Sequence, residues 1–448
     1  MLPVEESRSD RRHLCRPADE PGAVQIIGAL ESCIAFLTFL YIAYNGLMAL
    51  PGLLLRPKRW IRVPGHVDER RFLILVAAHN EERVIRETVL CLRALDYPQD
   101  LVRLVVLSDN STDATASVAR AAGAEVWVRN DAARRGKGHA VRWALERARR
   151  SADWQAVLLL DADNLVDPHL LCALDARLRS GEGAIQAYLD SKNPTDNWLS
   201  LSYAMGYWGA SRIYQFARTA LGLSAQLGGT GFCLSREIVE AVGWPAVSLT
   251  EDLELTMRLV LGGCRVTWAH EARVYDEKPV SLRVAWRQRV RWMQGHTFIS
   301  RKLTMALLAR FATTGDLAAL DAVLYLWAPT LQVVGIVWTF SWLAVVALGL
   351  PIPVPVLPLS GFAAMALAIY GVTAAGLLVE RRGWALRNLP GHLFAGLIWW
   401  LTTCVGWARN GRQDVWVHTP HTRSLSSPTV AAAGATTAEP TREAGVGT

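Results

Sequence analysis

Four short runs of acidic, polar and aromatic residues follow one another in the chain. They are Ser-Asp-Asn-Ser-Thr-Asp at 108–113, Asp-Ala-Asp at 161–163, Thr-Glu-Asp at 250–252 and Gln-Arg-Val-Arg-Trp at 288–292. Asp161 and Asp163 stand one residue apart after the apolar run at 157–160. Alternate carboxylates at a strand end can hold Mg²⁺ or Mn²⁺ while phosphate oxygens complete the octahedron. A hard cation there stabilises the negative charge that grows as a nucleoside diphosphate leaves. Asp109 ends another apolar run, where a carboxylate can accept from a nucleobase N–H, and Asn80 and Glu81 are placed for the same pocket. Gly136-Lys137-Gly138, before a helical pattern, offers close backbone approach and a cation for a diphosphate. It is not a Walker A loop, since no Ser or Thr follows the lysine.

Asp252 can act as general base on an acceptor hydroxyl, with Glu251 beside it. Helix capping is the plainer role for Thr250-Glu251-Asp252, and it is the role assigned outright to Asp113. Gly228-Gly229-Thr230-Gly231, just upstream of the Thr-Glu-Asp run, lets backbone approach a flat ligand. Gln288, Arg291 and Trp292 combine a polar fork, a phosphate-binding guanidinium and an aromatic surface suited to the C–H face of a sugar.

The elements that must hold these residues follow from periodicity. Phe72–Ala78 reads as a buried strand, 82–95 as a helix, 104–107 as a strand, 125–128 as a strand, 139–150 as a helix and 156–160 as a strand. Short apolar strands alternating with amphipathic helices predict a largely parallel sheet with helices on both faces. Ligands of such sheets bind beyond the carboxyl ends of strands, where Asp109 and Asp161 fall. No G-x-G-x-x-G follows the first strand, which excludes a dinucleotide fingerprint.

Apolar segments flank this region. Residues 1–22 are polar, and 23–55 are apolar for longer than the roughly 20 residues that cross a bilayer. A cleaved leader is not expected, because the run is too long and starts too late. Further apolar runs lie at about 321–350, 359–379 and 389–408. The last contains Gly391, Gly396 and Gly406 and is expected to be interfacial or re-entrant. Residues 281–312 interleave Arg283, Arg287, Arg289 and Arg291 with Val284, Trp286, Val290 and Trp292. This pattern predicts amphipathic helices at the interface, an ordinary surface helix being the alternative. The formal charge is +7, with 51% hydrophobic residues among 448, and mean hydropathy is +0.18. The cations Arg56, Lys58, Arg59 and Arg62, and later Arg381 and Arg382, crowd beside apolar segments, which suits anionic lipid better than nucleic acid. The positive-inside rule then predicts the cytoplasmic side for the region between these segments, and a bacterial cell membrane is the expected location. The seven cysteines include no C-x-x-C pair, so neither a zinc site nor a disulfide framework is suggested. Residues 424–448 read as disordered.

In this order the motifs resemble those of membrane-integrated family 2 inverting glycosyltransferases, the group of cellulose, chitin, hyaluronan and poly-N-acetylglucosamine synthases. The resemblance covers roughly 70–300. It implies an α/β GT-A-like nucleotide-sugar domain, near 70–280, inserted between transmembrane helices, with an α-helical membrane region at 318–408. It also implies a UDP-sugar donor, Mg²⁺ or Mn²⁺ held by Asp163 with Asp161, and Asp109 facing uracil. Asp252 becomes the base of a single inverting displacement, and Trp292 sits at the acceptor terminus with Glu251 nearby. Trp416, Thr419 and Arg423, within 409–423, resemble the family's loop that closes over the donor. The entry Pro-x-Tyr-Asn-Glu of the family is replaced by Ala77-Ala78-His79-Asn80-Glu81. The expectation is growth of a β-linked glycan, with single-sugar transfer to a lipid or a non-catalytic membrane scaffold as alternatives.

Overall fold

Strand β1 (Phe72–Ala78) carries no polar residue, and its alternate side chains enter two different cores. The chain is described here by a computed structural model covering residues 21–57, 69–151, 153–245, 248–347, 370–411 and 413. Leu73 and Leu75 of β1 point to one side of the sheet; Phe72, Ile74, Val76 and Ala78 point to the other. This division is the period-two consequence of a strand covered on both faces.

Helix α1 (Pro21–Leu54) precedes the sheet. After β1 come α2 (Ile85–Arg93), β2 (Val102–Asp109), α3 (Thr115–Ala121), β3 (Glu125–Arg129), α4 (Lys137–Ala148) and β4 (Ala156–Asp161). Next are β5 (Leu165–Val166), α5 (Leu170–Arg179), β6 (Ala184–Ser191), α6 (Trp198–Ala210), a π-helical turn at 211–216 and α7 (Ala217–Ala220). The domain closes with β7 (Phe232–Ser235), α8 (Arg236–Val242), α9 (Glu251–Leu261) and β8 (Val266–Asp276). The sheet order is β3-β2-β1-β4-β7-β6-β8-β5. The first four strands are parallel, as periodicity predicts, whereas β7 runs antiparallel to both β4 and β6. Helices α2, α3 and α5 cover one face; α4, α6 and α9 cover the other. Asp109, Asp161 and Asp276 are the last residues of their strands.

The helical region is built on α10 (Leu282–Thr314), α11 (Leu317–Ala347), α12 (Tyr370–Val379) and α13 (Leu389–Ala408). Leu253, Met257 and Val260 of α9 share a core with Ile299, Leu303 and Leu307 of α10 and with Ala322 and Leu326 of α11. The Thr-Glu-Asp turn is thereby fixed to the helical region. Among the described residues, three helices are long and apolar enough to cross a membrane: Ser32–Leu54, Leu317–Ala344 and Gly383–Ala408. Phe36, Phe39, Phe340, Leu397 and Leu401 on them face outward.

The segment 281–312, expected as amphipathic interface helices, falls in the single helix α10, which has one buried and one exposed side. Ala285, Val290 and Ile299 of α10 are buried, and the Arg289 guanidinium lies 4.2 Å from the ring centre of Trp399 on α13. Arg283 and Arg287 remain exposed, so the basic residues serve two different surroundings. The glycines of the last apolar run do not interrupt it either. At Gly406 a Cβ would fall 2.5 Å from Met293 Cβ and 2.9 Å from the Val290 carbonyl oxygen, so the glycine permits α13 to press against α10. Residues 1–20 and 414–448, including Trp416, Thr419 and Arg423, lie outside the described residues, as does the Pro-rich stretch within 348–369.

Candidate active site

One cleft of about 400 Å³ opens at the carboxyl ends of β1, β2 and β4, roofed by α9 and α10. Glu81, Asp109, Lys137, Asp161, Asp163, Glu251, Asp252, Gln288, Arg291 and Trp292 all line it. Asn80 does not. Its backbone is left-handed (φ 56°), and its side-chain oxygen accepts from Thr112 N–H at 2.8 Å, fastening the loop after β1 to the loop after β2.

Asp109 is held from behind. Arg129, the end residue of β3, donates to Asp109 Oδ1 at 2.5 Å, and Asn110 Nδ2 donates to the same oxygen at 3.0 Å. Among the described residues Oδ2 accepts no hydrogen bond and is left for a donor in the cleft. Burial raises the Asp109 pKa, against the opposing pull of Arg129. Asp113 does bind the first turn of α3, accepting from Thr115 N–H at 3.0 Å. That is the capping role its position suggests.

Lys137 opens α4 and turns into the cleft, where its ammonium donates to Asp161 and to the Gly229 carbonyl at 2.5 Å. Burial works against its charge, but Asp161 and Glu251 outweigh it and hold the pKa above the usual lysine value. The Asp161 N–H donates to Thr230 Oγ1 at 2.9 Å and Asn164 Oδ1 at 3.0 Å, so the acidic loop and the glycine loop 228–231 are knitted together. Asp163 is nearly inaccessible. Its Oδ2 accepts from Glu277 N–H at 3.0 Å and lies 3.5 Å from Lys192 Nζ.

At the N-terminus of α9, Thr250 makes no side-chain cap, which removes the simplest structural reason for the Thr-Glu-Asp run. Asp252 Oδ1 accepts from Leu253 N–H at 2.8 Å, and Oδ2 faces Gly229. Burial raises the Asp252 pKa. Burial, then the charge of Asp252, lift Glu251 to about 7, although Lys137 opposes the rise. Arg291 has its pKa lowered by burial, which the nearby Glu251 and Asp252 oppose. The α10 backbone comes close because residue 295 is glycine: a Cβ there would lie 2.6 Å from Thr250 Cγ2.

Sequence reasoning missed part of this wall. Asp276-Glu277-Lys278 also lines the cleft, with Lys278 Nζ 2.6 Å from Asp276 and 3.2 Å from the ring centre of Tyr207. A carboxylate ending an alternating strand was the available signal. Tyr203, Tyr207, His296 and Tyr325 also line the cleft, and nothing local marks them. His296 is held neutral by burial, its pKa lowered to about 4. Among the described residues, Thr250 Oγ1, Gln288 Oε1 and both side-chain polar atoms of Gln226 are buried in this lining without hydrogen-bond partners. A buried polar atom left unpaired costs about 1–3 kcal/mol. Several such atoms facing one space mark a place built for a polar ligand.

Comparison with known proteins gives this cleft a lineage. The family model described as "Glycosyltransferase like family 2" matches residues 70–295, half of the chain. The chain belongs to that family. The matched segment holds all four motifs and ends one turn beyond Trp292. A probable glycosyltransferase of Bacillus subtilis, YdaM, is 28% identical over 240 residues, covering 51% of this chain and 56% of that protein. Beta-monoglucosyldiacylglycerol synthase of Nostoc is 30% identical over 229 residues, covering 50% and 48%. Poly-beta-1,6-N-acetyl-D-glucosamine synthase of Staphylococcus aureus is 26% identical over 240 residues, covering 51% and 56%. The chain spans about half the length of the curated relatives it matches. Among solved structures, the mannosyltransferase PcManGT of Pyrobaculum calidifontis, in complex with GDP-Man and Mn²⁺, superposes with a TM-score of 0.53 at 20% identity. It covers 83% of this chain and 98% of its own, a likeness of fold. The domain is GT-A-like.

Proposed function

We propose that this glycosyltransferase moves a sugar from a UDP-sugar to an acceptor hydroxyl with inversion, at the cytoplasmic face of a bacterial membrane. The observation carrying this reading is that four motifs spread over 108–292 meet in one cleft whose lining leaves buried polar atoms without partners. Asp109, through its open Oδ2, and Glu81 would receive the base, and Lys137 and Arg291 would face the diphosphate. Gln288, with an orphaned oxygen, can accept from a donor hydroxyl.

The cleft suits a hard divalent cation by its donors. Asp161 and Asp163 present carboxylates to the same space, beside Glu277, whose Oε2 lies 3.5 Å from the Lys192 ammonium. Asp163, with Asp161, would hold Mg²⁺ or Mn²⁺, which when bound neutralises charge on the departing diphosphate. Asp252 takes the proton of the incoming hydroxyl. Its burial weakens its solvation as an anion, which raises its basicity toward an alcohol at neutral pH. Trp292, packed against the cluster of Leu199, Tyr203 and Ala285, offers a flat apolar surface to an acceptor sugar. Water is limited by the roof of α9 and α10.

Repeated extension of a β-linked glycan is the reading for the acceptor. A second reading, one sugar placed on a lipid, is favoured by Tyr325 of the apolar helix α11 lining the cleft. It is also favoured by the lipid-glycosylating relative. Incubating the purified chain with UDP-sugars and sizing the product separates them: a ladder supports extension, and a single added residue supports lipid transfer. No turnover of any UDP-sugar with Mn²⁺ or Mg²⁺ overturns both.

A further inference from the structure

On the side of the sheet covered by α2 and α5, outside the cleft lining, three donors of different softness meet at the surface. Asp96 lies in the loop after α2, His169 immediately precedes α5, and Cys172 is in its first turn. One donor atom from each lies within 4.8 Å of the others. His169 Nδ1 is 3.1 Å from Asp96 Oδ2, and Cys172 Sγ donates to the Asp96 carbonyl at 2.9 Å. Asp96 N–H donates to the Pro168 carbonyl at 2.9 Å, a backbone bond that joins the two segments, and His169 N–H donates to Asp167 Oδ1 at 2.9 Å within the second. His169 and Cys172, three residues apart on a helical turn, share a face.

We infer that Asp96, His169 and Cys172 form a binding site for a zinc-class divalent cation, with water as the fourth ligand. Zinc binds imidazole nitrogen and carboxylate oxygen at about 2.0–2.2 Å and thiolate at about 2.3 Å in tetrahedral geometry. Two ligands about 2.05 Å from a tetrahedral centre stand about 3.3 Å apart, close to the 3.1 Å between His169 and Asp96. The charges also close: one carboxylate and one thiolate cancel the dication, and the imidazole enters neutral. On binding, the Cys172 thiol releases its proton to solvent and no electron is transferred. Thiolate with imidazole selects zinc, whereas oxygen-only donors suit Mg²⁺ or Mn²⁺. The surface site and the cleft therefore draw on different metals. The missed signal was His-x-x-Cys rather than a cysteine pair.

The position gives such a cation a purpose. It would join the α2–β2 loop to the segment just beyond Asp161 and Asp163. Helix α2 is already tied there, by Thr88 Oγ1 donating to the Ala162 carbonyl at 2.7 Å. Binding only the folded state would raise thermal stability with the logarithm of ligand concentration once that exceeds Kd.

The test uses tag-free full-length protein in detergent. Zinc is titrated in competition with a chromophoric chelator, and Co²⁺ serves as a spectroscopic stand-in. The expected result is one zinc per chain, resistant to excess Mg²⁺, with a thiolate-to-cobalt charge-transfer band and a zinc-dependent rise in Tm. Cys172→Ser should abolish the band and weaken zinc binding by more than the ~10–100-fold typical of an outer-shell change. His169→Ala, at a side chain 71% exposed, should fold normally and weaken binding to a similar degree. Absence of the cobalt band in the wild type overturns the site. So does zinc affinity that survives His169→Ala unchanged, whatever becomes of Cys172→Ser.

Discussion

Asp252→Asn separates proton acceptance from folding and donor binding. The carboxylate oxygen that accepts from Leu253 N–H at 2.8 Å becomes an amide oxygen that still accepts, so the first turn of α9 keeps its bond. The amide is nearly isosteric, and the Asp252 Oδ2 position, 3.4 Å from where a Cβ on Gly229 would sit, gains no bulk. On the proposed mechanism, what disappears is the site for the acceptor's proton. A positioned general base contributes roughly 10²–10⁴-fold, which is about 3–5.5 kcal/mol at 1.36 kcal/mol per decade. The pH profile supplies a second readout. Burial raises the Asp252 pKa, and Glu251 beside it stands at about 7. A base must be deprotonated to act, so wild-type kcat/KM should fall as pH drops through a range raised above that of an ordinary aspartate. That acid limb should flatten in the variant. The assay is initial UDP release by detergent-purified protein across pH, alongside calorimetric titration of UDP. Turnover within about 10-fold of wild type would refute the assignment. Loss of UDP affinity with the fold intact would refute it differently, placing Asp252 in the donor pocket.

Other perturbations probe other parts of the cleft. Asp163→Asn keeps an oxygen for Glu277 N–H but removes the anion facing Lys192, and Mn²⁺ affinity measured with UDP present should fall more than ~10-fold. Undiminished turnover in chelator would contradict this metal role. Gly295→Ala drives a methyl into Thr250 across the α9–α10 contact; the expected cost is about 1–3 kcal/mol of stability, with lower kcat, read by thermal unfolding and initial rates. Asp321→Ala strands Arg218, whose partner lies 2.8 Å away with both side chains 4% exposed. Breaking such a pair costs about 3–5 kcal/mol, so denaturant unfolding in detergent should shift strongly while UDP binding at the remaining folded protein stays unchanged.

The parallel half of the sheet was legible because β1 and β4 are uniformly apolar, and a strand buried on both faces needs no other instruction. The carboxylates at strand ends were legible for the same reason: the apolar run stops where the cleft begins. The antiparallel β7 was not legible, since four residues, Phe-Cys-Leu-Ser, carry no mark of direction. The clamp of Arg129 on Asp109 and the tether of Lys192 to Asp163 join residues 20 or more positions apart, and only strand register brings them together. In α10 the basic residues looked like one polar stripe. The helix instead passes out of the cleft at its start, so Arg283 and Arg287 meet solvent while Arg291 enters the site and Arg289 stacks on α13. Asn80, chosen for its place beside Glu81, acts as a loop fastener because its left-handed backbone turns the side chain toward Thr112.

The central claim is a single in-line displacement assisted by Asp252. Its most direct test is the anomeric configuration of the product formed by the purified chain from an α-linked UDP-sugar, read by the anomeric proton coupling in NMR. A β-linked product is predicted; an α-linked product would contradict the mechanism, however active the enzyme.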